Sequence, residues 1–340
     1  MEASEHLRIR FTDDLRIPRL LNGMWQVSGA HGPIDRRTAL QTMLALHNAG
    51  FTTWDLADHY GPAEDFIGEF RRQLKTTQGA AALADVQAFT KWVPRPMPMT
   101  LRMVEEAIGV SLRRMEVESL DLLQFHWWDY GNDQYLAALD FLAQLQQAGK
   151  IKHLALTNFD TEHLQRILTH GIKIVSNQVQ YSLIDRRPEI RMASLCQEQQ
   201  VWLLTYGTLC GGFLSDKYLG QPEPGRRDLN TASLQKYKQM IDAWGGWGLF
   251  QELLKTLKRI ADQHTVSIAN VATRYILDKP KVAGVIIGVR LGLNDHHKEN
   301  SGVFGLQLGA QDLAQIEHVL VRSNDLYRLI GDCGDEYRSR

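Results

Sequence analysis

The stretch Leu101–His126, LRMVEEAIGVSLRRMEVESLDLLQFH, contains one complete helix–strand unit of the fold. Its first half places apolar residues at every third or fourth position from Leu101 to Met115, which predicts an amphipathic helix. Its second half, Leu120–His126, is a short and largely continuous apolar run, typical of a strand buried on both faces of a parallel sheet. The stretch therefore predicts an architecture in which helices and strands alternate.

Seven further runs of the same kind occur along the chain, and each of the eight is expected to be followed by at least one helix. Eight β/α units in about 300 residues favour a single-domain (β/α)8 TIM barrel over residues 1–340, rather than an open doubly wound sheet. The open sheet would carry a G-x-G-x-x-G turn after its first strand, and this sequence has none there. The predicted strands are Leu20–Val27, Phe51–Asp55, Val86–Lys91, Leu120–His126, Ile151–Asn158, Ile174–Gln178, Val201–Tyr206 and Val282–Val289.

Three segments fall outside this repeat. Residues Leu7–Asp14 are expected to form a hairpin that closes the bottom of the barrel. About 40 residues separate the seventh strand from a helical pattern at Leu249, and Gly220–Gly225 within them is too loose for a core, so a lid or binding loop is expected there. After a helical pattern at Gln311–Ser323, a tail without periodicity runs to Arg340, and we expect this tail near the barrel mouth.

The overall composition is that of a soluble globular enzyme. The 340 residues include 38 Lys and Arg against 39 Asp and Glu, a formal net charge of −1, with 44% hydrophobic and 23% charged residues. Near-zero net charge argues against a nucleic-acid partner, and no apolar run approaches the roughly 20 residues that span a membrane. The cysteines Cys196, Cys210 and Cys333 are too scattered for a disulfide framework or a metal site. No secretory signal pattern opens the chain, so a cytoplasmic location is the simplest interpretation.

Four ionisable side chains follow three successive predicted strands. Asp55 ends the second strand and Tyr60 follows it, while Lys91 and His126 end the third and fourth strands. Because the C-terminal ends of barrel strands converge on one mouth, we expect these four groups to lie together. Each has an ordinary structural explanation when taken singly, but the combination at one end of the barrel favours catalysis.

This combination predicts proton chemistry centred on Tyr60. A phenol has a pKa near 10, and an ammonium about 4 Å away at an effective dielectric near 20 contributes roughly 4 kcal/mol, which is about 3 pKa units. We therefore expect Lys91 to lower the pKa of Tyr60 toward the range in which it exchanges a proton with an alkoxide. Asp55 is expected to anchor Lys91. His126 is expected to orient a carbonyl oxygen and stabilise its growing negative charge.

A site that donates a proton but has neither a nucleophile nor a metal cluster needs a source of electrons, and a nicotinamide cofactor fits that need. At the same mouth, Asn158 and Gln178 carry amides that suit a carboxamide, and Tyr206 offers a ring face for stacking. The glycines after Tyr206 allow close approach of a pyrophosphate, and phosphate sites after the last two strands are common on this fold. The predicted cofactor-binding residues are Thr157, Asn158, Gln178, Tyr206, Gly207, Leu209, Gly211, Gly212, Gly288, Arg290, His296 and Asn300, and no metal ligand is predicted.

Several motifs make a resemblance to a known family specific. Five segments resemble signatures of the aldo-keto reductases, and they occur in the family's order along nearly the whole chain. They are Asp55–Gly61 (DLADHYG), Thr90-Lys91, Asp121–His126 (DLLQFH), Thr157–Phe159 (TNF) and Gly212–Tyr218 (GFLSDKY). The resemblance implies a (β/α)8 barrel, NADPH bound extended across its mouth, and reversible reduction of carbonyl groups. It assigns Tyr60 as the proton donor, tuned by Lys91 and Asp55. It assigns His126 to the orientation of the carbonyl.

The chain departs from the family pattern where the cofactor is expected. Thr157 and Gly207 stand in place of two serines, and Ile286–Gly288 stands in place of a proline-containing turn. Where many NADPH-specific members have an arginine, this chain has His296, although Arg290 offers a nearby charge. NADPH is therefore the expected cofactor, and NADH stays open.

Trp25, Trp92 and Trp127, with Trp128 beside them, are expected to line a flat apolar pocket that suits a sugar face or a hydrophobic aldehyde. The leading hypothesis is an NAD(P)H-dependent reductase of aldehydes or ketones. Two alternatives use the same residues: an NAD-dependent aldose dehydrogenase working in the oxidative direction, and a nicotinamide-binding regulatory subunit. A metal-dependent barrel hydrolase is disfavoured because no H-x-H motif lies at the first strand. The physiological substrate, the direction of reaction and the oligomeric state stay open at this stage.

Overall fold

A closed barrel of eight parallel strands forms the centre of the computed structural model, which describes residues 8–29, 34–292 and 297–338. The barrel strands are β3 Leu20–Gly23, β4 Thr53–Asp55, β5 Gln87–Trp92, β6 Leu120–Phe125, β7 Ile151–Thr157, β8 Ser176–Gln180, β9 Trp202–Tyr206 and β10 Val282–Gly288. Each strand pairs with the next along the chain, and β10 closes the barrel by pairing with β3. The predicted (β/α)8 TIM barrel is confirmed.

A short antiparallel hairpin closes the bottom of the barrel, although it extends to Pro18, beyond the predicted end at Asp14. It is formed by β1 (Arg8–Arg10) and β2 (Arg16–Pro18), and it leads directly into the first barrel strand. Phe11 in its turn is buried and stacks on Phe89 of β5 at 5.9 Å between ring centroids. The hairpin therefore fills the lower end of the barrel and leaves the opposite end for chemistry. Leu7, the first residue of the predicted hairpin, lies outside the described residues.

Helices cover the outside of the barrel because their apolar faces need the sheet as a partner. Several begin at a side-chain cap: Asp35 and Asp160 accept the backbone N–H groups of Thr38 and His163. None of the helices in the described ranges has the length and apolar composition to cross a membrane. The helices are α1 Arg36–Asn48, α2 Ala63–Gln78, α3 Leu101–Met115, α4 Gln134–Gln147, α5 Thr161–Thr169, α6 Met192–Glu198, α7 Ala232–Trp244, α8 Gly246–His264, α9 Ile268–Leu277, α10 His297–Ser301, α11 Ala310–Leu320 and α12 Leu326–Ile330.

The barrel interior changes character from bottom to top. An apolar cluster fills the lower part, with Leu21, Phe89 and Leu122 pointing inward. Above it, the inward-facing side chains of β4, β5, β6 and β8 are polar and buried. Buried polar groups are stable only when they are hydrogen-bonded to one another, so this upper layer forms one network.

Two predicted segments differ from the structure. The first predicted strand is too long, because β3 ends at Gly23 and a short 3-10 helix follows at Trp25–Ser28. The segment after β9 is not only a loose loop, since it contains α7, and α8 begins at Gly246 rather than Leu249. Gly245 ends α7, and Gly246 is the first residue of α8.

Candidate active site

A buried ion pair lies at the C-terminal end of the barrel. Lys91 Nζ donates to Asp55 Oδ2 at 2.6 Å and to the Leu56 carbonyl at 3.0 Å. Gln124 and Gln178 donate to the other Asp55 oxygen, Oδ1, at 2.9 and 2.7 Å. Burial lowers the pKa of Lys91, and the carboxylate of Asp55 opposes that shift. The structure thus brings Asp55 and Lys91 together as a fully hydrogen-bonded pair.

Tyr60 lies next to this pair in the loop between β4 and α2. Lys91 Nζ is 5.1 Å from the centroid of the Tyr60 ring. The Trp25 ring packs edge-on against Tyr60 at 5.0 Å and the His59 ring at 4.9 Å. Within the described ranges the Tyr60 hydroxyl forms no hydrogen bond to a protein group. It is therefore free to bond to a substrate oxygen.

The expected lowering of the Tyr60 pKa is wrong for this structure. Burial raises the pKa of Tyr60 well above its usual value, and the negative charge of Asp55 adds to the increase. Lys91 does not reverse this shift because its charge is compensated by the carboxylate 2.6 Å away. The phenol consequently stays protonated across the physiological pH range.

His126, directly after β6, has one ring nitrogen engaged and one without a partner. Nδ1 lies 2.9 Å from the Thr157 carbonyl oxygen, which only accepts, so Nδ1 carries the proton. Nε2 is buried and has no hydrogen-bond partner in the described part of the protein. Burial lowers the pKa of His126 to about 4. The imidazole is therefore neutral and presents a lone pair on Nε2, so the expected stabilisation of negative charge by His126 does not fit this tautomer.

The amides predicted to bind a carboxamide present complementary groups. Gln178 uses its Nε2 protons on Asp55 and on Gln124 Oε1, at 2.7 and 2.6 Å, which leaves its own Oε1 as an acceptor. Asn158 accepts the Tyr206 hydroxyl on Oδ1 at 2.8 Å, which leaves Nδ2 as a donor. A carboxamide needs one acceptor and one donor, so these residues fit the nicotinamide amide. Thr157 Oγ1 forms only a long contact of 3.4 Å to the Gln178 carbonyl.

Two glycines of the loop after β9 lie against a side chain of α7. A Cβ on Gly207 would lie 2.2 Å from the Tyr237 hydroxyl, and a Cβ on Gly211 would lie 2.9 Å from the same ring. These glycines therefore make room for Tyr237 of α7. Gly212 has φ +99° with open space around it, and Leu209 is partly buried against the core. Gly212 has the open surroundings that the predicted pyrophosphate site needs.

The groups predicted after β10 are only partly described. Gly288 packs against Gln26, whose Nε2 would lie 2.1 Å from a Cβ at this position. Arg290 is exposed, and Asn300 lies half-buried in α10. His296 lies outside the described residues.

The predicted tryptophan pocket is only partly formed. Trp25 is 37% exposed beside Tyr60, whereas Trp92 and Trp127 are buried. Trp127 donates its indole N–H to the Asp129 and Asn132 carbonyls, so it belongs to the core and not to the pocket, contrary to the prediction. Trp128 takes its place: it is 42% exposed, and its ring lies 4.4 Å from that of His126.

Sequence reasoning missed a contribution from α7 and the C-terminal tail. A chain of hydrogen bonds runs from Lys236 through the hydroxyls of Tyr337 and Tyr206 to Asn158. Tyr337 also packs edge-on against Trp128 at 6.4 Å. The tail was expected near the mouth without assigned residues, and no pattern in it signals these contacts.

A barrel with a tyrosine, a lysine–aspartate pair and a histidine at its mouth defines a class of nicotinamide-dependent carbonyl oxidoreductases, and comparison with known proteins agrees. The model of the aldo/keto reductase family matches residues 19–321. This chain therefore belongs to the aldo/keto reductase family, the oxidoreductases that act on carbonyl groups, as its motifs predicted.

Two named reductases are similar to this chain over most of its length. The chloroplastic pyridoxal reductase of Arabidopsis thaliana is 27% identical over 294 residues, covering 82% of this chain and 75% of the relative. The NADH-specific methylglyoxal reductase of Escherichia coli is 22% identical over 320 residues, covering 88% and 94%.

Solved structures show the same fold. The glycerol dehydrogenase of Gluconobacter oxydans superposes with a TM-score of 0.77 at 21% identity, covering 94% of this chain and 96% of that one. An aldo/keto reductase from Klebsiella pneumoniae in complex with NADP and acetate gives a TM-score of 0.67 at 20% identity, covering 92% and 95%. The expected use of a nicotinamide cofactor agrees with the cofactors named for these proteins.

Proposed function

We propose that this protein is an NADPH-dependent reductase of small aldehydes and ketones in which Tyr60 gives the proton to the carbonyl oxygen. The observation that carries the proposal is a Tyr60 hydroxyl that has no partner among the described residues and lies beside the buried Lys91–Asp55 pair. When bound, the nicotinamide supplies the hydride to the carbonyl carbon. Asn158 and Gln178 would hold its carboxamide, and Tyr206 would flank its ring.

The protonation state of Tyr60 favours reduction over oxidation. A phenol with a raised pKa is fully protonated at neutral pH, and a developing alkoxide is a stronger base than the phenolate. Tyr60 therefore carries the proton that reduction requires. The reverse reaction needs Tyr60 as a base, and burial beside Asp55 disfavours its ionised form. This argues for a reductase rather than an aldose dehydrogenase.

His126 is proposed to accept a hydrogen bond rather than donate one. Its Nε2 lone pair suits the hydroxyl of the product alcohol, or a hydroxyl next to the carbonyl of the substrate. Such an interaction orients the reacting carbon and favours hydroxy-carbonyl compounds. The named activities of the relatives, pyridoxal reductase and methylglyoxal reductase, support small aldehydes as the substrate class. A cytoplasmic location remains part of this proposal.

The proposal is tested by following NADPH absorbance with a panel of aldehydes, aldoses, pyridoxal and quinones. We expect NADPH consumption with small aldehydes and little reduction of NADP+ by aldoses. Rapid reduction of NAD+ by aldoses would support the dehydrogenase instead. Tight cofactor binding without turnover of any compound would identify a regulatory subunit.

The pH dependence follows from the two shifted groups. His126, with its pKa at about 4, stays neutral above pH 5, and Tyr60 keeps its proton to above pH 10 because burial raises its pKa. We expect kcat/KM for reduction to be flat between about pH 5 and 9. A decline beginning near pH 7 would instead reveal the lowered tyrosine pKa that the sequence alone suggests.

Cofactor preference is expected to depend on Arg290. If this exposed guanidinium binds the 2′-phosphate, Arg290→Ala should raise the Kd for NADPH by about 10-fold or more and leave the Kd for NADH unchanged. Arg10→Ala, on the hairpin at the opposite end of the barrel, is the control and should change neither value. If Arg290→Ala has the same Kd for NADPH as the wild type and the same Kd for NADH as the wild type, Arg290 does not belong to the phosphate site.

A further inference from the structure

The guanidinium of Arg338 lies at the barrel mouth with most of its donors unused. Nη2 donates to the Trp127 carbonyl at 2.8 Å, and the guanidinium carbon lies 3.8 Å from the centroid of the Tyr130 ring. Nε and Nη1 are buried and have no hydrogen-bond partner in the part of the chain that the structure describes. Within the described ranges Arg338 forms no ion pair. Three N–H groups are thus left without an acceptor.

A second buried arginine, Arg187, contacts the same tail but has all the partners that Arg338 lacks. Arg187 is saturated, with Asp185 accepting from Nε and Nη2 at 2.8 Å each and Glu336 accepting from Nη1 at 2.9 Å. Unpaired buried cations are costly, and the stacking of Arg338 on Tyr130 does not satisfy its N–H groups. The nearby Asp335 accepts the Asp332 N–H on Oδ2 at 2.7 Å and forms no ion pair with Arg338 in the described ranges. Arg338 therefore lacks the anion that its neighbour has.

Arg338 lies beside the segment that carries His126. The carbonyl to which it donates belongs to Trp127, the residue directly after His126. Its ring contacts, Tyr130 and Phe159, come from the loops after β6 and β7. The first of these loops begins at His126, and the second follows Thr157, whose carbonyl fixes that imidazole. Besides burial, the charge of Arg338 contributes to the lowered pKa of His126, which places the guanidinium near that imidazole.

We propose that Arg338 recognises an anionic group on the substrate, so that the preferred substrates are aldehydes or ketones carrying a carboxylate or a phosphate. Charge-assisted hydrogen bonds from a guanidinium suit both groups. The proposal rests on the proposed reductase function and adds the substrate class to it. It requires the Arg338 side chain, half-buried on the last described turn, to rotate so that its free donors face the mouth.

Matched substrate pairs test the proposal. Succinic semialdehyde is compared with butyraldehyde for the carboxylate, and glyceraldehyde 3-phosphate with glyceraldehyde for the phosphate. In the wild type we expect the charged member of at least one pair to have the higher kcat/KM. Arg338→Met should lower that kcat/KM by about 10- to 100-fold, mainly through KM, while the neutral member changes by less than about 3-fold. Arg338→Lys should recover part of the loss.

Arg328→Met, an exposed charge on α12 in the same tail, is the matched control and should leave both members unchanged. A wild type without preference in either pair, or an equal loss for charged and neutral members in Arg338→Met, would overturn the proposal.

A binding measurement separates this proposal from the reductase function. Succinate and inorganic phosphate are titrated into the NADPH complex, with tryptophan fluorescence as the signal, since Trp127 contacts Arg338 directly. Saturable quenching by one of the anions, lost in Arg338→Met, would support the anion site even in a protein that reduces nothing. No quenching by either anion would contradict it. If the protein binds the anion but turns over none of the carbonyl compounds, only the reductase function is contradicted.

Discussion

Tyr60→Phe is expected to lower kcat for aldehyde reduction by about 10²- to 10⁴-fold, the usual contribution of a positioned proton donor. The substitution removes only the hydroxyl, so the ring contacts to Trp25 and Lys91 persist and the fold is expected to be unchanged. Because the proton is needed only as the alkoxide forms, the Kd for NADPH should stay within a few-fold of wild type. Steady-state kinetics and a cofactor titration measure both quantities.

Tyr275→Phe provides the matched control, since this phenol lies on α9, away from the mouth, and accepts a hydrogen bond from Lys279. It should retain nearly full activity. A Tyr60→Phe protein with wild-type kcat would show that another group or water supplies the proton, and the assignment of Tyr60 would be wrong.

Arg187→Met should produce the largest loss of stability among the substitutions considered. The side chain of Arg187 is 1% exposed and bridges Asp185 and Glu336, which are 0% and 8% exposed. Methionine fills a similar volume but leaves two carboxylates without their cation, and breaking a buried pair in this way costs about 3–5 kcal/mol. For a chain of this length, that corresponds to a Tm lower by about 4–7 °C in a thermal scan.

The tail also depends on this arginine, because Arg187 is the residue that holds Glu336 in place. Arg322→Met is the control: its partner Glu252 forms a surface pair in which both side chains are nearly half exposed, and such pairs contribute at most about 1 kcal/mol. Equal Tm values for Arg187→Met and Arg322→Met would mean that the buried network does not stabilise the protein.

The barrel and the position of its catalytic end were predictable from the sequence because both follow from local patterns. Continuous apolar strands give a parallel sheet, and polar residues at their C-terminal ends must meet at one mouth. Asp55 and Lys91 end adjacent strands, so their ion pair follows from chain order and strand pairing.

Other features depend on contacts that no local pattern encodes. The predicted direction of the Tyr60 pKa shift was wrong. The shift is decided by burial and by the carboxylate that compensates Lys91, and residue spacing reveals neither of these. The tautomer of His126 depends on a carbonyl 31 residues away along the chain. Trp127 and Trp128 are neighbours in the sequence, yet Trp127 is buried and Trp128 is exposed. A linear sequence pattern predicts neither the tautomer of His126 nor the difference in burial between the two tryptophans.

The central claim is that hydride passes from the cofactor to the carbonyl carbon while Tyr60 protonates the oxygen. The most direct measurement uses NADPH carrying deuterium at the transferable position of the nicotinamide, with an aldehyde as substrate and NMR of the alcohol formed. We predict one deuterium on the former carbonyl carbon from one epimer of the labelled cofactor and none from the other. Alcohol without deuterium from either epimer, or no alcohol at all, would contradict the account.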